Sequence, residues 1–125
     1  MALNVFGENL ECCCNDPMTG FYRNGSCDTG PQDQGMHTVC VEITESFLES
    51  SAKAGNDLST AMPEYNFPGL KEGDRWCLCL YRWVEAYDNG FAPRVYLKGT
   101  HITALEHLDL ETLSEFSLDD DQSEA

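Results

Sequence analysis

Positive charge is scarce in this sequence, in which seven lysines and arginines stand against 22 aspartates and glutamates, for a formal net charge of −15. A surface with so many carboxylates repels nucleic-acid phosphates and anionic lipid headgroups. We therefore expect no nucleic-acid partner and no membrane partner. Two explanations of the acidity stay open, an ordinary acidic protein and adaptation to a high-salt host.

Long apolar runs are also absent. No segment approaches the roughly 18 consecutive apolar residues of a membrane span, and the start, MALNVFGENLE, lacks the basic and apolar regions of a secretion signal. These absences predict a cytoplasmic protein with reduced thiols. The seven cysteines are an odd number, which also argues against a closed disulfide framework.

Nucleotide-binding glycine motifs are missing as well, although glycine punctuates residues 8–37. Gly20, Gly25, Gly30 and Gly35 fit neither GxGxxG nor GxxxxGK[ST]. With turn-forming residues between them, they predict a long loop without regular secondary structure. Cysteines and aromatic residues indicate that this loop is ordered, and ordered loops of such length are usually functional.

The most apolar and aromatic stretch is residues 73–90, GDRWCLCLYRWVEAYDNG, which predicts a strand at residues 75–81 that continues into a helix. Apolar residues on both strand faces indicate a strand covered on both sides. Trp76 and Trp83 are expected to pack in the core. Further strands are predicted at residues 3–6, 38–44 and 94–99.

Three capping residues predict where helices begin. Thr44 precedes a helix over residues 45–54, and Thr100 and Asp109 precede short helices near the end of the chain. The helices are short and the loops are long, so the predicted fold class is α+β, with a small, mainly antiparallel sheet and a long glycine-rich loop. We expect one compact domain over residues 1–117 and a disordered acidic tail over residues 118–125.

Several long blocks of the sequence are unusual enough to suggest a relative. They are LNVFGENLECCCNDPMTGFYRNGSCDTGPQDQGMHTVC, GNDLST, FPGLKEGDRWCLCLYRW and FAPRVYLKGTH. Together they resemble the small, mostly bacterial domain of unknown function numbered 2237, over nearly the whole chain up to about Phe116. The resemblance implies one stand-alone domain and supplies no mechanism. The family's usual cysteine in the first block matches Cys13, whereas Cys12 and Cys14 depart from the family pattern.

The CLC pair is the sharpest chemical feature. The thiols of Cys77 and Cys79 leave the same face of a strand with backbones about 7 Å apart, which suits convergence on a metal better than a mutual disulfide. Zinc is the cofactor that such thiolates fit, and Cys77, Cys79 and His101 form the candidate metal set, completed by His37, Cys27 or Cys13. Inert buried thiols and a redox-active or nucleophilic cysteine are the open alternatives.

The few arginines are candidate anion ligands, because a guanidinium binds carboxylate or phosphate with two hydrogen bonds. The alternative for Arg23 and Arg82 is an internal salt bridge, for example to Glu85. Asp33 and Asp57 are expected to order loops as hydrogen-bond acceptors rather than act as general bases.

The histidines give weaker signals than the arginines. His37 and Cys40 are three residues apart, which makes them a weak chelating pair on one strand. His101 follows a strand end, where ligand-binding residues collect, although it also fits a structural role.

Two classes of function follow. The first is a small-molecule site, binding or catalytic, for a small anionic molecule, with the loop over residues 20–35 covering the CLC face and bringing Cys27 and Arg23 close. The second is a protein-interaction or structural module without ligand chemistry, or a zinc-binding protein. The sequence leaves the substrate, any catalysed reaction and the oligomeric state open. The candidate site residues are Arg23, Cys27, Asp33, His37, Cys40, Asp57, Cys77, Cys79, Arg82 and His101.

Overall fold

A three-stranded antiparallel sheet positions the rest of the chain in the computed structural model, which describes residues 2–15, 18–65, 67 and 69–118. Strand β1 (His37–Glu42) lies in the middle, with β2 (Arg75–Cys79) on one side and β3 (Arg94–Val95) on the other. Both pairings are antiparallel. With the helices described below, this arrangement confirms the α+β fold class.

Helix α1 (Glu45–Lys53) follows β1, helix α2 (Leu80–Asp88) follows β2, and the short helix α3 (Leu110–Ser114) lies near the end of the described chain. The predicted cap of α1 is confirmed, because the Thr44 hydroxyl accepts a hydrogen bond from the Phe47 backbone N–H at 3.1 Å. No helix among the described residues is long and apolar enough to cross a membrane.

The burial of strand β2 confirms that it is covered on both faces. Three consecutive residues in the middle of the strand are buried, Trp76, Cys77 and Leu78. A strand with one solvent-exposed face would show an exposed residue at every second position. Trp83 of α2 is fully buried and donates from its indole N–H to the Pro93 carbonyl oxygen at 3.1 Å. The indole therefore fills the core without leaving its polar group unpaired.

Helix α2 begins earlier than predicted. The strand ends at Cys79 and the helix starts at Leu80, whereas the sequence pattern extended the strand to residue 81. Leu80, Trp83 and Ala86 form its buried face, at the spacing of a helix. Tyr81 is 54 % exposed and does not share a strand face with Cys77 and Cys79.

The strand predicted at residues 3–6 is wrong. Asn4 is fully buried, and its side-chain oxygen accepts from the Phe6 and Glu8 backbone N–H groups at 2.9 and 3.1 Å. Its amide donates to the carbonyl oxygens of Asn9 and Lys98 at 3.3 and 3.2 Å. The Asn4 side chain thus forms hydrogen bonds with the backbone groups of a tight turn, in a segment where strand pairing was expected.

The last predicted strand is shorter than expected, because β3 ends at Val95 and Leu97–Gly99 form a 3-10 helix. His101, rather than Thr100, caps the next 3-10 helix, Ile102–Glu106. Asp109 stands at the predicted cap position before α3, but its side chain accepts no capping hydrogen bond from that helix. The predicted disordered tail concerns residues 118–125, of which 119–125 lie outside the described residues.

Candidate functional site

A buried carboxylate holds an imidazole at the start of β1. The Asp33 Oδ1 atom lies 2.6 Å from His37 Nδ1, and its Oδ2 atom accepts from the His37 backbone N–H and the Thr29 hydroxyl, each at 2.9 Å. The Asp33 side chain is 0 % exposed and the His37 side chain is 38 % exposed. Because a carboxylate can only accept, this contact favours a ring with a proton on Nδ1 and directs Nε2 away from Asp33.

The turn before β1 explains why these two residues meet. The Met36 N–H donates to the Asp33 carbonyl oxygen at 3.1 Å, and Met36 has a positive φ of 51°. The chain therefore reverses over four residues and sets His37 above Asp33. The sequence interpretation of Asp33 as a loop-ordering acceptor is confirmed, and the same carboxylate also orients a ring at a cleft.

His37 forms part of the wall of a concave surface that we call the aromatic cleft. The volume of this cleft is about 350 Å³. Phe67 and Trp76 meet edge to face in it, with ring centroids 5.3 Å apart. Its lining residues are Gly20, Phe21, Arg23, His37, Asp57, Leu58, Met62, Phe67, Trp76 and Cys77.

Arg23 is the one lysine or arginine that lines the aromatic cleft. Its guanidinium carbon lies 5.2 Å from the centroid of the Trp76 ring, close enough for a cation–π contact. Among the described residues it forms no ion pair. The internal salt bridge weighed for the arginines is found for Arg82, which binds Glu85 at 3.1 Å, whereas the described residues contain none for Arg23.

Asp57 supplies a second charge at this cleft. It accepts hydrogen bonds from the Thr60 hydroxyl at 2.7 Å and the Ser59 backbone N–H at 2.9 Å. These bonds, the Thr60 hydroxyl first, lower the pKa of Asp57 below its ordinary value. The carboxylate is ionised and orders its loop, which confirms the role predicted for it.

A smaller neighbouring concavity, the thiol cleft, has a volume of about 230 Å³. Cys79 is a partly exposed free cysteine and the cross-strand partner of His37. The register between β1 and β2 shifts between His37 and Val39, so this pair lies at an irregularity of the sheet, and both residues line the thiol cleft. The lining residues are His37, Asn56, Leu58, Trp76, Leu78, Cys79 and Arg82.

Two disulfides correct the expectation of reduced thiols. Cys13 is bonded to Cys40 and Cys27 to Cys77, and the four residues form one buried cluster. The odd cysteine count was misleading, because three cysteines, Cys12, Cys14 and Cys79, stay free. The predicted closeness of Cys27 to the CLC strand is confirmed, as a covalent bond.

The predicted metal set of Cys77, Cys79 and His101 is not assembled. In the oxidised protein the Cys77 sulfur is bonded to Cys27 and is not a thiolate. Among the described residues, the one group of at least three metal-ligating atoms that converge is Cys13, Cys27 and Cys77. His101 lines neither of the two clefts.

His101 instead has a structural environment. Its Nδ1 atom accepts from the Thr103 N–H at 3.1 Å, and Nε2 lies 3.7 Å from Asp28 Oδ1. Burial lowers the pKa of His101, partly offset by the charges of Asp28 and Glu106. The structural alternative stated for this residue fits these contacts.

The structure thus brings Arg23, His37, Asp57 and Cys77 to one cleft, and Cys79, Arg82 and again His37 to the adjoining one. Asp33 lies behind His37, whereas Cys27 and Cys40 lie in the sulfur cluster. Sequence reasoning missed the apolar walls, formed by Phe21, Met62 and Phe67. A signal was present, since these apolar residues interrupt otherwise polar loops.

Comparison with known proteins gives a family without an assigned activity. The family described as "Uncharacterized protein conserved in bacteria (DUF2237)" matches residues 3–117 of the chain. A search of curated proteins found no match. Functional evidence therefore comes from the geometry of the clefts.

Proposed function

Since the chain belongs to this uncharacterised bacterial family, we propose its function from the aromatic cleft: the protein binds a small anionic molecule with a flat apolar part, and His37 moves a proton on that molecule. The observation that carries the proposal is the buried Asp33 carboxylate 2.6 Å from His37 Nδ1. A histidine that only lines a binding site needs no buried carboxylate as a partner. A proton acceptor benefits from it, because the carboxylate fixes the ring and stabilises the imidazolium that forms.

The anionic preference comes from Arg23. In a chain with a net charge of −15, its guanidinium forms no ion pair among the described residues and lies over Trp76 in the cleft wall. Stacking on the indole restricts the side chain and leaves its N–H groups for a carboxylate or phosphate. Long polyanions are disfavoured by the surrounding carboxylates, so the anion is small.

The apolar part of the ligand is inferred from the walls. Phe21, Phe67 and Trp76 present ring surfaces to a space of about 350 Å³, within the range of about 300–1,000 Å³ common for small-molecule sites. Phe21 also lies nearly parallel to the His37 ring, with centroids 6.1 Å apart. A planar group bound near Phe21 therefore lies beside the imidazole.

Binding is tested with phenyl phosphate, benzoate and neutral benzamide as NMR probes. We expect the two anions, and not benzamide, to shift the resonances of Arg23, His37 and Trp76. Arg23→Gln should weaken anion binding by about tenfold or more, the value of a charged hydrogen bond. Arg94→Gln is the matched control, because Arg94 is an exposed arginine on β3 outside the aromatic cleft. Equal binding by both variants would overturn the anion site.

Proton transfer is tested separately, with nitrophenyl phosphate, which has the flat ring and the anionic group of the proposed ligand. We expect hydrolysis that is lost in His37→Gln, reduced in Asp33→Asn and kept in Arg94→Gln. The Asp33→Asn change keeps the shape of the pair but removes the charge that sets the tautomer. A His37→Gln variant that binds phenyl phosphate and hydrolyses as fast as the unchanged protein would remove the proton-transfer role and leave the binding role intact.

A nucleophilic Cys79 is a second candidate, favoured because Cys79 and His37 line the same thiol cleft. In this reaction the Cys79 sulfur attacks the carbonyl carbon of an ester, its proton passes to His37 Nε2 and from there to the leaving oxygen, and the carbon–oxygen bond breaks as a thioester forms and an alcohol leaves. In the described structure no hydrogen bond joins thiol and ring, so the step requires a closer approach. Mass spectrometry of protein treated with nitrophenyl acetate tests it, since Cys79→Ser must abolish an acyl adduct at that residue.

A further inference from the structure

The two disulfides lie together as one buried group of four sulfur atoms. Cys13, Cys27, Cys40 and Cys77 are each at most 4 % exposed. The sulfurs of Cys13, Cys27 and Cys77 lie within 4.8 Å of one another, and Cys40 is bonded to Cys13 at 2.06 Å. A zinc ion bound by four thiolates at about 2.3 Å requires sulfur separations of roughly 3.8 Å, so after reduction each bonded pair must separate and the Cys40 sulfur, which lies outside the group of three, must approach the others.

The backbone holds these cysteines independently of the sulfur–sulfur bonds. Cys40 and Cys77 are directly opposed on β1 and β2 and project from the same face of the sheet. Their N–H groups donate to the hydroxyls of Thr100 at 3.2 Å and Thr19 at 2.7 Å. Two of the four ligands therefore stay in place when the disulfides are cleaved.

The other two cysteines are presented by the loops above that face. The Cys13 N–H donates to the carbonyl oxygen of Gly25 at 2.7 Å, which ties the two loop segments to each other. Tyr96 packs against the cluster, and the Arg75 guanidinium carbon lies 4.4 Å from the centroid of the Tyr96 ring. A positive charge thus lies on the ring that packs against the sulfur cluster.

We propose that reduction converts this sulfur cluster into a zinc site with Cys13, Cys27, Cys40 and Cys77 as its four ligands. Two molecules of a dithiol reductant supply four electrons and four protons, cleave both disulfides and leave as cyclic disulfides. Zn²⁺ then displaces the four thiol protons, giving a tetrathiolate complex of net charge −2. One zinc ion then joins the four cysteines that the two disulfides joined in pairs. The loops therefore stay attached to the sheet in either redox state.

The test uses a variant with Cys12, Cys14 and Cys79 changed to serine, which keeps only the four cluster cysteines. After reduction under a non-chelating phosphine and addition of zinc, native mass spectrometry should show one zinc per chain. Iodoacetamide should then alkylate none of the four thiols, and cobalt should give the absorption of a tetrahedral thiolate complex. The oxidised protein should bind no zinc at the cluster.

Two results would overturn the proposal. One is a reduced triple variant whose thiols are alkylated equally fast with and without zinc. The other is a Cys40→Ser change, added to the triple variant, that binds zinc as tightly as its parent and gives the same cobalt spectrum. The alkylation result needs no further substitution, so it decides the question even if the Cys40 variant fails to fold. Neither readout depends on the aromatic cleft.

Discussion

The disulfide between Cys27 and Cys77 gives the strongest stability prediction. The bond joins residues 50 positions apart, and the chain-entropy relation assigns about 4 kcal/mol to a loop of that length. We therefore expect the Cys27→Ala, Cys77→Ala double variant to lose about 4 kcal/mol of unfolding free energy. For a chain of this length that loss corresponds to a Tm about 15 °C lower.

Urea unfolding of the oxidised proteins in the presence of a chelator measures this loss. Cys12→Ala is the matched control, because Cys12 is a free and exposed cysteine, and its change should cost within about 0.5 kcal/mol. Thiol titration in denaturant without reductant should find three thiols in the unchanged protein, those of Cys12, Cys14 and Cys79. The double variant should also titrate three.

The reasoning fails in either of two ways. Seven titratable thiols in the unreduced protein would mean that the cross-links do not form. A double variant that is oxidised at its remaining pair and loses less than about 1 kcal/mol would mean that the Cys27–Cys77 link does not restrain the unfolded chain.

Three further predictions concern the backbone, protonation and net charge. Gly20→Ala should destabilise the protein in urea more than Gly55→Ala. Both glycines have positive φ, but of the two only Gly20 is placed so that an added Cβ would collide with a backbone oxygen, that of Ser26. The pKa of His101 is lowered from 6.5 in the folded protein, so below that pH the unfolded chain binds more protons than the folded chain. The unfolding free energy should therefore fall as pH drops through about 6.5. His101→Gln should flatten this fall, and His107→Gln should not. With a net charge of −15, the thermal midpoint should rise as salt goes from about 10 mM to about 1 M, and a flat response would remove the high-salt interpretation.

Helices and strands were predicted correctly where a segment carried a single physical signal with no competing one. Alternation in β1, apolar residues on both faces of β2 and a hydroxyl before α1 correctly indicated two strands and a capped helix. Residues 3–6 show the opposite case, since alternation was present but the Asn4 side chain competed successfully for the backbone. The end of β2 was misjudged because Leu80 fits both a strand face and the buried face of α2.

The candidate site was predicted as residue types but not as an arrangement. Arg23, His37 and Cys77 were selected from the sequence, and the structure places them at one cleft. The pairing of Asp33 with His37 depends on the left-handed conformation of Met36, which a non-glycine residue does not signal. Cysteine pairing was out of reach for a related reason, since spacing along a chain does not determine which sulfurs meet.

The aromatic cleft and the sulfur cluster are connected through Cys77, which lines the first and belongs to the second. The Cys27–Cys77 bond fastens the loop that carries Arg23 to the strand that carries Trp76, and these two side chains form the proposed anion site. Cleaving the bond lets the loop move relative to the strand. Reduction in the presence of a chelator should therefore weaken phenyl phosphate binding, and zinc should restore it if the metal reconnects loop and strand. NMR titration of the oxidised, reduced and zinc-loaded protein measures both effects, and unchanged affinity across the three states would show that the cleft does not depend on this link.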